Sequence, residues 1–75
     1  MNDKTRKYIE AVTCKRYRAY GDADAAFSAI YDTTKRRAAN GDAKALLERE
    51  AAMVAFNAAI AAADTAFNEG MTATE

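Results

Sequence analysis

The sequence predicts an all-α protein, a three-helix chain made of a helical hairpin plus one long helix and assembled as a homo-oligomeric helical bundle. Two observations give the helices. The 75 residues include no proline and 20 alanines, so the strongest helix former is abundant and the strongest breaker is missing. Apolar side chains recur at about 100° per residue, and no stretch alternates with period two long enough for a strand. A third observation gives the assembly: the large apolar set is too short to close a core within a chain of this length.

Glycines supply the predicted boundaries. Gly21 and Gly41 are each followed by Asp-Ala. Glycine suits the left-handed position that ends a helix, and aspartate suits the cap that starts the next. Gly21-Asp22 and Gly41-Asp42 therefore read as two tight helix–helix turns, with Asn40 adding turn chemistry. The first helix is placed at about residues 3–19, the second at 23–39 and the third at 43–69. Residues 1–70 form a single helical domain, and Gly70 ends the last helix ahead of a frayed tail, 71–75.

The first helix carries a mixed stripe of Tyr8, Ile9, Val12, Ala19 and Tyr20 interrupted by Arg16, with Lys4, Lys7, Lys15 and Arg18 on its flank. In the second, Ala23, Phe27, Ile30, Tyr31, Thr34 and Ala38 share a face. The third differs from both. Leu46, Met53, Ile60 and Phe67 recur every seven residues beside Phe56, a coiled-coil-like seam and the predicted self-association surface. Leu47, Val54 and Ala61 form a second stripe, and Ala52, Ala55, Ala59, Ala62 and Ala66 a small-residue back. At 1.5 Å per residue this helix should reach roughly 40 Å, against about 25 Å for each shorter one. Two short helices do not cover that length and circumference, so a second copy is expected.

Between the seams runs a polar line, Glu50, Asn57 and Asp64. It reads either as a register device, as polar residues in coiled-coil cores can be, or as the solvent-facing gap between two partly exposed seams.

The net charge is zero, yet residues 1–37 hold nine Lys/Arg against five Asp/Glu, and residues 38–75 hold two against six. In an antiparallel hairpin of the first two helices, Lys4, Arg6 and Lys7 meet Lys35, Arg36 and Arg37 at one end. That cluster is the candidate surface for a partner or an anion, a protein first and a nucleotide or nucleic acid as the alternative. Three considerations oppose the alternative. Cations in a last turn favour the helix dipole without any ligand. Charge runs on helices are commonly solvated faces, and the isoelectric point is near 6.2, low for a nucleic-acid binder.

Catalysis has no support. There is no histidine, which removes the commonest general base and metal ligand. Glu48 and Glu50 are two apart and face differently, Asp42 and Arg49 complete no triad, and no glycine-rich phosphate loop exists. The expectation is a non-enzyme with no cofactor and no metal. Cys14, the single cysteine, reads as an ordinary small residue in a reducing compartment. No targeting segment is visible, and the longest strongly apolar run, residues 58–63, is too short to span a bilayer. The expected location is therefore the cytoplasm, with no membrane partner.

Over residues 50–60, Glu50-Ala51-Ala52-Met53 and Asn57-Ala58-Ala59-Ile60 resemble a helix of small phage proteins that sequester cyclic nucleotides in anti-CBASS defence. The rest of the chain does not follow that pattern. What the resemblance implies is cyclic-nucleotide sequestration. In overall style, a short proline-free helical chain without an enzyme motif is similar to phage and mobile-element accessory proteins, including anti-CRISPR inhibitors. The functional expectation is a self-associating interaction protein that modulates or inhibits a larger macromolecular partner, such as an anti-defence inhibitor.

Overall fold

The computed structural model describes residues 2–73. It contains two helices, α1 (Asp3–Ala39) and α2 (Ala43–Thr72), packed along each other as a hairpin. The prediction of three helices is thus corrected to two. The first and second predicted helices are one continuous element of 37 residues.

The two Gly-Asp-Ala sequences behave differently for a physical reason. At the second, Gly41 takes φ +81°. Its N–H donates to the Ala38 carbonyl and the Asp42 N–H donates to the Arg37 carbonyl, both at 3.0 Å. These two bonds close a Schellman motif. The Asp42 carboxylate then accepts from the Lys44 N–H at 2.9 Å and caps α2. Gly21 has no positive φ and lies exposed inside α1. A glycine within a helix costs only about 1 kcal/mol relative to alanine. Continuity keeps Ile9, Val12, Arg16, Tyr20, Ala23, Phe27, Tyr31 and Thr34 on one stripe along α2, and that packing outweighs the cost. Gly70 does not end α2 either. Met71 and Thr72 complete its last turn, while Thr74 and Glu75, in the tail read as frayed, lie outside the described residues.

The hairpin is a slab one helix thick, with Cα extents of 57 × 16 × 9 Å. Its seam is built from small residues. Among the described residues, the buried ones are Ala23, Ala45, Ala63 and Thr34. Around them sit half-buried larger side chains, including Phe27 against Phe56 with ring centroids 5.4 Å apart. Near the open end Gly70 packs against Val12. A Cβ there would stand 3.0 Å from Val12 Cγ1.

The expectation that two short helices leave the long one uncovered changes accordingly. One helix runs the length of α2, but it covers one side only. No helix among the described residues is long and apolar enough to cross a membrane.

Candidate interaction surfaces

Two polar clusters pin the hairpin, one in each half. Nearer the turn, the Arg49 guanidinium donates from Nε to Thr34 Oγ1 and from Nη2 to the Tyr31 carbonyl, both at 2.9 Å. It also stands 4.1 Å from the Tyr31 ring centroid. Thr34, 1% exposed, donates in turn to the Ile30 carbonyl at 2.6 Å, so its hydroxyl is satisfied as donor and acceptor. Nearer the open end, Arg16 Nε donates to Tyr20 Oη at 2.7 Å and lies 3.2 Å from Asp64 Oδ1. The Tyr20 hydroxyl donates to the same carboxylate oxygen. The Arg16 guanidinium covers the Phe67 ring at 4.4 Å. The hydrogen bond that Arg16 donates to Tyr20, helped by the negative charge of Asp64, raises the Arg16 pKa against the opposing effect of desolvation, so this cation stays charged throughout the accessible pH range.

These clusters settle the polar line residue by residue. Asp64 is engaged across the helix pair, whereas Glu50 and Asn57 are exposed. Asp64 therefore ties α2 to α1 within the chain, and the other two are open to solvent in the hairpin. Arg49 escaped the sequence reading because it was weighed as a catalytic group. Its signal was positional: with Ala45, Ala52 and Phe56 it falls at three- and four-residue spacing on the face that meets α1.

The predicted self-association seam is divided by the structure. Phe56, Ile60 and Phe67 are half-buried and face the hairpin seam. Leu46 and Met53 are exposed, at 49% and 41%. Beside them on the outer edge of α2, Leu47 and Val54 are each 65% exposed. Residues 51–63 of α2 contain no charge. The outer edge of α1 is the opposite, presenting Lys4, Lys7, Arg18 and Arg36, all exposed.

The predicted basic cluster does not assemble. Lys4, Arg6 and Lys7 sit at the start of α1 and Lys35, Arg36 and Arg37 at its end, about 45 Å apart at 1.5 Å per residue. The cause is the missing turn at Gly21. Arg6 pairs with Asp3 at 3.5 Å and Glu10 at 4.0 Å. Arg37 pairs with Glu48 at 2.9 Å and Asp42 at 3.9 Å. Arg36 and Arg37 lie in the last turn of α1, where they complement the dipole. Cys14 is exposed, and the described residues include no group of side chains arranged to hold a metal ion.

Comparison with protein-family models, curated proteins and solved structures returns no match.

Proposed function

We propose that this chain is a small non-enzymatic interaction protein, a helical hairpin that self-associates and docks on a larger protein partner, modulating or blocking it. One observation carries the reading. Leu46, Leu47, Met53 and Val54 are 41–65% exposed on one helix, while the buried apolar residues among those described are three alanines. Each large apolar side chain moved out of water contributes about 1.5–3 kcal/mol, and a hairpin with so modest a core gains most by covering α2. Contiguous exposed apolar surface rimmed by polar residues is the usual mark of a protein interface. The anion-binding alternative loses its main support, since its six cations lie at two ends of one helix.

The partner contact is tested by placing a photo-cross-linking amino acid at Leu47 or Val54 in cells that express the chain. A discrete adduct with a defined protein is expected at these positions and not at Lys7 on the outer edge of α1. Equal adducts at all three positions, or none at Leu47 and Val54, refute the docking edge.

A further inference from the structure

One broad face of the slab is a groove between the helices. Ala26 and Ile30 of α1 and Ala52, Ala55 and Ala59 of α2 line a depression of about 280 Å³. It continues toward the open end between Val12 and Ala19 on one side and Ala66 and Gly70 on the other. Ile30 stands at its border, 38% exposed. On the α2 side the rim is alanine and glycine above a floor that includes Phe56 and Phe67, whereas the α1 side adds the larger Ile30 and Val12 to its alanines.

We propose that a second copy of the chain covers this face, related by a two-fold axis running along the hairpin, so that α1 of each copy lies antiparallel over α2 of the other. This rests on the self-association reading above and specifies its geometry, leaving the exposed Leu46, Leu47, Met53 and Val54 to the larger docking partner. Three observations choose the occupant. The first is area. A face of 57 by 16 Å gives a footprint of about 900 Å², comparable with the roughly 800 Å² that each partner contributes to a standard stable interface.

The second observation is shape. With the axis along the hairpin, Ile30 of one copy falls level with the alanines at 52 and 55 of the other, a large side chain over small ones. Alanine-lined helices approach to the short end of the 8–10 Å interaxial range. With the axis across the hairpin instead, α1 would meet α1 and α2 would meet α2, setting bulk against bulk and alanine against alanine.

The third is charge. Residues 3–39 hold nine Lys/Arg against five Asp/Glu, and residues 43–72 hold two against four. Laying α1 over α2 pairs the positive helix with the negative one, whereas laying α1 over α1 stacks like charge. At the rim, Lys15 and Glu69 are both exposed and neither has an ion-pair partner among the described residues. Matching the levels set by the contacts Arg16–Asp64 and Phe27–Phe56, the proposed arrangement brings Lys15 of one copy beside Glu69 of the other.

Single-cysteine chains in a Cys14→Ser background test the arrangement. An Ile30→Cys chain is mixed with a longer, tagged Ala55→Cys chain and oxidised gently. Each chain holds one thiol, so a bridge between them is intermolecular. The expected product is the mixed-size disulfide, with little homodimer of either chain. Separately, Ala55→Glu, whose site is exposed in the hairpin, should halve the mass of the native species and keep its helicity, while Val54→Glu on the neighbouring edge should leave the mass unchanged. A native dimer that forms no such cross-link, or that Val54→Glu dissociates and Ala55→Glu does not, overturns this geometry and leaves self-association standing. A wild-type mass of one chain overturns both.

Discussion

Replacing Gly21 by alanine separates the continuous α1 from a chain that turns at this point, because the sign of the effect differs. Gly21 lies inside α1, has no positive φ and is exposed. A Cβ built there meets nothing within 4 Å. Alanine therefore brings no clash, and the full helix-propensity difference of about 0.8–1.0 kcal/mol should appear as added stability. For a chain of this size that corresponds to a rise in melting temperature of about 4–8 °C. Had Gly21 ended a helix in the left-handed region, the same substitution would cost about 1–2 kcal/mol. Gly41, at φ +81°, is the internal control, and Gly41→Ala should destabilise by about that amount. The assay is thermal and urea unfolding followed by far-ultraviolet circular dichroism. All variants must be compared at one protomer concentration, since association makes the transition concentration-dependent. A Gly21→Ala chain less stable than wild type would refute the two-helix architecture.

Arg49→Ala removes two charge-assisted hydrogen bonds and a cation–π contact, so a loss of about 2–4 kcal/mol is expected by urea unfolding. A double-mutant cycle with Thr34→Ala should return a coupling of about 0.5–2 kcal/mol, and a coupling near zero would deny the link. Gly70→Ala should forfeit most of the gain seen at Gly21, because its Cβ would lie 3.0 Å from Val12 Cγ1. In a Val12→Ala background the gain at Gly70 should return, and thermal melts of the four chains decide this. Charge reversal at Arg36 should leave self-association unchanged, as it lies on the outer edge of α1; a shift in the mass distribution would place it in the contact.

The helical class was open to sequence reasoning because alanine content, the lack of proline and the 3.6-residue spacing all act locally. The turn at Gly41 was readable for the same reason: its Schellman bonds and the Asp42 cap involve neighbours. Gly21 was not. The same three letters, Gly-Asp-Ala, begin there, and what keeps the helix unbroken is a stripe from Ile9 to Thr34 that gains its value only against α2. Local capping preference yielded to long-range packing. That one misplaced turn also brought Lys4 and Lys7 next to Arg36 and Arg37, which the fold holds about 45 Å apart. The division of the third helix was partly readable. Its heptad of Leu46, Met53, Ile60 and Phe67 was evident, but which side α1 would cover depended on Arg49 and Asp64. Those residues reach across the seam to Thr34, Arg16 and Tyr20, and no local pattern announces such partners.

Self-association is the central functional claim, and sedimentation equilibrium of the wild-type chain at micromolar concentration tests it most directly. A mass twice that of the 8.1 kDa chain, falling toward one chain on dilution, is the predicted result. A mass of one chain, from protein that is fully helical and unfolds cooperatively at that same concentration, would contradict it.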